Sequence, residues 1–275
     1  MNRLLITIIA IIILFSYCTS KYERSVEKLN SANELASNGK LKEALPIYNE
    51  IIEKNESFVS AYAKRAALLR LMGNYGSALD DINKAIELEP DSSSYYVIRG
   101  SIKENLNDLK GSIQDYNQAV TIDNSYLAHN NLGMLKMKMN NFPDAMISFN
   151  KSIEFNPVFS LTYNNRGTLK ERMGDSQGAI EDYGNAIKLD STVDYYYYNR
   201  FVSRYTIEEW EGAIEDLNRA IEISPDYSEY YYYRGLVYVE MDSLTRGCKE
   251  FEKAAIRGSK AAQKEMLELC HKDSI

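Results

Sequence analysis

One position recurs through most of this chain at Ala32, Ala66, Gly100, Gly133, Gly167, Phe201 and Gly235, in steps of 34 residues with a single step of 33 near Asn124. A period of this length marks one small structural unit copied along the chain. Each copy is too small to bury its own apolar face, so neighbours must stack to make a core. Twelve residues after each anchor stand Ala44, Ala78, Ser112, Ala145, Ala179, Ala213 and Gly247, all small. Four further on come Tyr48, Ile82, Tyr116, Phe149, Tyr183, Leu217 and Phe251, and three beyond those Ile51, Ala85, Ala119, Ser152, Ala186, Ala220 and Ala254. Spacings of four and three place small, large and small side chains on one face of a helix, which lets a second helix approach closely around the large one. The repeated unit is therefore a pair of packed helices.

The punctuation between the helices agrees. Gly39, Gly73, Asn107, Asn140 and Gly174 stand where a left-handed residue ends the first helix. Asn74, Asp108, Asn141, Asp175 and Ser243 follow at the place of an N-cap for the second. Pro90, Pro157 and Pro225 close three of the units, where a missing N–H costs least. Seven units follow, at 25–58, 59–92, 93–125, 126–159, 160–193, 194–227 and 228–261. Residues 259–270, SKAAQKEMLELC, read as a further helix whose charged outer side caps the stack. Pro46, inside the second helix of unit one, is expected to remove one backbone bond and bend that helix.

This pattern resembles the tetratricopeptide repeat family. Tyr62, Tyr96, Tyr163, Tyr197 and Tyr231 stand where the family often has tryptophan, and Asn165-Arg166-Gly167 carries its Asn-Arg-Gly form. Phe201, the pair Glu208 and Glu209, and Lys28 and His129 depart from it. The resemblance implies an all-α, right-handed superhelical solenoid of seven hairpins plus the capping helix. It also implies that an extended peptide or partner helix lies along the second, fifth, ninth and twelfth positions of the first helices. Along or beside that stripe the candidate contacts are Arg70, Asn130, Met134, Asn164, Arg172, Tyr195, Tyr198, Tyr205 and Tyr232. Asn130 and Asn164 are expected to hold a peptide backbone. Tyr163, Tyr197 and Tyr231 fall on the packing stripe and are expected in the core. Tyr195, Tyr198 and Tyr232 fall on the open stripe, where they either meet a partner or only fill surface. The Lys, Asn and Arg set with which some relatives clamp carboxylates is missing: unit one offers Leu29 and Asn33, unit two Ala63 and Ala67.

Composition excludes several other roles. A formal charge of −7 argues against a broad nucleic-acid surface. Cys18, Cys248, Cys270, His129 and His271 are too scattered for the paired ligands of a zinc module. The chain contains no Gly-rich phosphate loop, no G-x-S-x-G elbow and no H-E-x-x-H pair. No catalytic residue, metal, cofactor or small-molecule substrate is therefore expected. His129 takes the place of a packing tyrosine and His271 lies in the tail, so neither is read as a general base.

Residues 1–17 read as a secretory signal, with Arg3 ahead of the uncharged run Leu4 to Phe15. That run, at about 1.5 Å per residue, is short for a membrane span. Phe15-Ser16-Tyr17-Cys18 resembles the lipobox of bacterial lipoproteins, which implies lipid attachment at Cys18 followed by a tether at 18–24; Tyr17 stands where the family usually has a small residue. Ordinary cleavage after Ser20 and retention as an uncut anchor are the other outcomes. Each makes an exported protein, and the first and last hold it to a membrane of the bacterial cell envelope. Export would permit a disulfide between Cys248 and Cys270, with two free thiols as the alternative. The whole reads as a non-enzymatic docking scaffold for a protein or peptide partner. The rival readings are a structural subunit of an envelope complex, held by its convex surface, and an accessory that presents a substrate to an enzyme.

Overall fold

The computed structural model describes residues 22–270; the signal segment, Cys18 and His271 lie outside the described residues. Helices and short turns account for all of them, with no strand among the described residues. In order they are α1 (22–37), α2 (Leu41–Lys54), α3 (Val59–Leu71), α4 (Tyr75–Leu88), α5 (Ser93–Asn105), α6 (Leu109–Asp123), α7 (Tyr126–Lys138) and α8 (Phe142–Phe155). There follow α9 (Ser160–Arg172), α10 (Ser176–Leu189), α11 (Asp194–Thr206), α12 (Trp210–Ile223), α13 (Ser228–Glu240), α14 (Leu244–Ile256) and α15 (Lys260–Glu265). None is long and apolar enough to cross a membrane.

The chain divides after Ala128 into two compact units. In the first, α1 packs on α2, α3 on α4 and α5 on α6. In the second, α7 packs on α8, α9 on α10, α11 on α12 and α13 on α14, with α15 laid against α14. Each hairpin closes around the anchor and the large residue sixteen positions later. A β-carbon placed on Gly133 would stand 2.6 Å from the Phe149 ring, and one on Gly167 2.8 Å from the Tyr183 ring, so these hairpins require glycine at the anchor. In α11 the bulk has changed sides: Phe201 is the anchor, buried, and the facing residue shrinks to Leu217.

The turns follow the expected chemistry where it was readable and extend it where it was not. Gly39, Gly73, Asn107, Asn140 and Gly174 are left-handed, as expected, and so are Glu208 (φ 62°) and Asp242 (φ 56°) at the equivalent places. Each turn closes with the paired bonds of a Schellman motif, such as Gly73 N–H to Arg70 O and Asn74 N–H to Leu69 O. The 33-residue step is absorbed at Asn124, left-handed at the end of α6. Asp108, Asn141 and Asp175 cap the second helices, accepting from the N–H of Gly111, Asp144 and Gly178. Asn74 and Ser243 make no side-chain cap bond.

Two helices bear on detailed expectations, and one of them departs from its own. α2 holds Pro46 inside it, as expected, and runs unbroken from Leu41 to Lys54, with Ala44, Tyr48, Ile51 and Ile52 buried around the missing N–H. The closing helix does not run to Cys270 as α-helix. It stops at Glu265, and Met266–Cys270 form a wider π turn that carries Cys270 round to α14, where it is bonded to Cys248 with Cα atoms 5.8 Å apart.

Candidate functional site

The first helices α7, α9, α11 and α13 make a row within the second unit, joined edge to edge by polar side chains. Asn130 of α7 accepts from Asn165 Nδ2 at 2.9 Å and from the Thr162 hydroxyl at 3.3 Å. Asn199 of α11 donates to Asn164 Oδ1 at 2.8 Å, and Ser203 donates to Glu171. From α13, Tyr230 donates to Asp194 at 2.9 Å, while Tyr205 of α11 donates to Glu240 at 3.3 Å. Asn130 and Asn164 are 4% and 5% exposed. Their amides are therefore interior ties between helices, not open groups waiting for a peptide backbone, because the adjoining first helix covers them.

Arg172 is likewise committed. Its Nη1 donates to Met137 O at 3.0 Å and its Nη2 to Asn140 Oδ1 at 2.8 Å, with the guanidinium 4.9 Å from the Phe142 ring. Met134 remains at the surface, and Arg70, in the first unit, is half-buried.

Several tyrosines of α11 and α13 gather on this row. Tyr198 lies 5.6 Å from Tyr233 and 5.7 Å from both Tyr230 and Phe201. Tyr205 stands edge-on to Trp210 at 5.2 Å, and Tyr232 edge-on to Tyr233 at 5.3 Å. Tyr198, Tyr205 and Tyr232 are half-buried, whereas Tyr195 is 42% exposed. Burial pushes all four hydroxyls above the ordinary tyrosine value, Tyr195 to about 12. The charged neighbours that push in the same direction are carboxylates: Asp190 and Asp194 at Tyr195, Glu229 at Tyr198, Glu240 at Tyr205 and Glu265 at Tyr232.

The packing tyrosines do a different job. Tyr197 and Tyr231 are buried and Tyr163 half-buried. Their hydroxyls donate to the carbonyls of Ser191, Pro225 and Pro157. Each carries on its ring the arginine three residues on, with Arg166 5.7 Å from Tyr163, Arg200 5.9 Å from Tyr197 and Arg234 5.5 Å from Tyr231. His129, in the corresponding place, stacks on Phe155 at 5.5 Å. Burial lowers its pKa, helped by Lys151 and Lys136, so the ring is neutral at pH 7 and behaves as the aromatic it replaces.

Those arginines belong to a clamp that motif reading did not find. Arg65, Arg99, Arg166, Arg200 and Arg234 recur with the period and bind Asp81, Asp115, Asp182, Asp216 and Glu250 of the paired second helix. Four of them also reach an asparagine of the preceding hairpin: Asn49, Asn83, Asn150 and Asn218. In α7 and α8 both partners are replaced together, by Leu132 and Ser148.

A tetratricopeptide repeat model matches residues 59–92, 93–126, 127–159 and 161–192, and a second model of the same repeat matches 204–242, together well over half of the chain. The chain belongs to the tetratricopeptide repeat family. No curated protein sequence matches this tetratricopeptide repeat protein. Among solved structures it is similar to the Cut9–Hcn1 hetero-tetramer of the APC/C, at 15% identity and TM-score 0.68, covering 86% of this chain but only 48% of that one. It is also similar to pilF of Pseudomonas aeruginosa, at 16% identity and TM-score 0.65 over 78% of this chain and 99% of that one. PilW, a type IV pilus biogenesis factor, matches at 18% identity and TM-score 0.64 over 75% and 96% of the two chains. Likeness at these identities establishes the solenoid fold alone. Tetratricopeptide repeats serve as protein-interaction scaffolds, and among the described residues no group of His, Cys, Asp and Glu is placed to hold a metal ion.

Proposed function

We propose that this protein is a non-enzymatic scaffold that takes a peptide segment or helix of a partner protein along the row of first helices, chiefly over α11 and α13. One observation carries the reading: Tyr198, Tyr205 and Tyr232 rest on rings of Tyr233, Phe201 and Trp210 while keeping part of their surface open, and Tyr195 stands exposed beside Tyr196 on the same stripe of α11. Tyrosine gives a large rigid contact at small entropic cost, with a polar tip for the partner's backbone. The test is affinity capture from detergent-solubilised membranes with wild type and the Tyr198→Ala, Tyr232→Ala double variant. Loss of the captured partners is expected, and unchanged capture would move the site elsewhere.

The same reading places the protein at a bacterial envelope, exported by residues 1–17 and held by lipid on Cys18. The uncharged run Leu4 to Phe15, the Cys248–Cys270 disulfide and the similarity to a pilus biogenesis factor support it. Labelling with a fatty-acid analogue is expected to mark wild type and not Cys18→Ala; label retained on the variant rejects lipidation. A second reading, a structural subunit of an envelope assembly or secretion complex contacted through the second helices, draws on exposed Ile147 of α8 and Ile256 of α14. Crosslinks concentrated on those helices would favour it.

A further inference from the structure

The charge around the tyrosine row defines what it accepts, given the groove reading above. Each of the six basic side chains of α9, α11 and α13 is engaged away from that row or with an adjoining turn. Arg166 and Lys170 bind Asp182, and Arg172 binds the turn between α7 and α8. Arg200 and Arg204 bind Asp216, and Arg234 binds Glu250 and Asn218. The carboxylates on the row have hydroxyl donors instead: Tyr205 on Glu240, Ser228 on Glu229 and Tyr230 on Asp194. Glu229 and Glu240 are exposed beside the half-buried tyrosine rings.

We propose that the face of α11 and α13 takes a basic segment of a partner protein, its lysine or arginine side chains lying on the rings of Tyr198, Tyr205 and Tyr232 and paired with Glu229 and Glu240. Aromatic faces carry negative potential and attract ammonium or guanidinium groups, and adjacent carboxylates add directional hydrogen bonds. The chain already uses this contact internally, where Arg166, Arg200 and Arg234 cover the packing tyrosines of the same helices. Guanidinium suits it best, because its plane stacks on a ring while its edge binds a carboxylate.

The test uses the mature chain and fluorescence anisotropy with a labelled short peptide alternating arginine and leucine. The comparison peptides carry glutamine or glutamate in place of arginine. The arginine peptide is expected to bind about tenfold more tightly than the glutamine one, with the glutamate peptide weaker still. Glu229→Gln with Glu240→Gln, near-isosteric changes at exposed positions, is expected to erase about a tenfold advantage while leaving the thermal midpoint unchanged. Equal affinity for the arginine and glutamine peptides, no effect of the glutamate variants, or no binding of the arginine peptide would each overturn the inference. If Tyr198→Ala with Tyr232→Ala abolishes binding that charge does not influence, the groove stands and only the basic partner falls. If the arginine peptide binds and those tyrosine changes have no effect, the groove reading itself fails.

Discussion

Arg166 grips Asp182 with two parallel bonds, Nε to Oδ2 at 2.8 Å and Nη2 to Oδ1 at 2.6 Å, while its Nη1 reaches back 2.7 Å to Asn150 in the preceding hairpin. Asp182 is almost fully buried and also binds Lys170 at 2.9 Å. Asp182→Ser is expected to cost about 3 kcal/mol, since it leaves two cations facing each other with no counter-charge. The combination Arg166→Leu with Asp182→Ser copies what α7 and α8 use, Leu132 and Ser148. It is expected to lose less than the sum of the two single changes. Urea denaturation of the four proteins in the cycle measures the coupling; strict additivity would contradict it.

Phe201 and Leu217 exchange bulk with the glycine and aromatic of other hairpins. Phe201→Gly is expected to cost about 4 kcal/mol by opening a cavity. Adding Leu217→Tyr should recover part of that loss by rebuilding the arrangement of Gly167 and Tyr183. Thermal midpoints of the single and double variants decide the point.

Glu208 occupies a left-handed conformation that Gly39, Gly73 and Gly174 adopt without steric penalty. Glu208→Gly is expected to raise stability by about 1 kcal/mol, because relief of the β-carbon clash outweighs the added freedom of the unfolded chain. A lower denaturation midpoint would contradict this account of the turn.

Alkaline stability should fall in a defined window. Burial pushes the hydroxyls of Tyr116 and Tyr183 up to about 12, against about 10 for tyrosine in an unfolded chain. The fold therefore prefers the protonated phenols. That preference has no cost below about pH 10, and stability is lost as pH rises from about 10 to about 12, by about 2 to 3 kcal/mol for each ring. Tyr183→Phe is expected to flatten the decline, read as denaturation midpoints across the window.

Reduction of Cys248–Cys270 is expected to cost about 3 kcal/mol, from the freedom restored to the intervening segment, whose ends are 22 residues apart in sequence. The loss should be local. Amide exchange is expected to rise in α14, α15 and the π turn while α9 and α10 stay protected, and uniform loss of protection would contradict it.

The hairpins were legible because the anchor and its facing residue are apolar, recur together and lie on opposed helix faces. The clamp was not read, although Arg65, Arg99, Arg166, Arg200 and Arg234 repeat as regularly, because a polar pair sixteen residues apart has no periodicity that distinguishes burial from solvent. Stripe position identified Tyr195, Tyr198, Tyr205 and Tyr232 as neighbours, but position on a helix does not report depth. Asn130 and Asn164 share the stripe with them and lie beneath the next helix. The π turn at Met266–Cys270 depends on a bond to a residue 22 positions earlier, which local propensity cannot express.

The arginine clamp has a bearing on how such an array can lengthen. A guanidinium that holds the acid of its own hairpin and the asparagine of the one before it ties two successive modules through side chains that recur with the period. The module of α3 and α4 carries both, Arg65 toward the hairpin before it and Asn83 toward the one after, so a tandem copy of it in register would bring its own connector; the module of α9 and α10, with Gly184 at the asparagine place, would not.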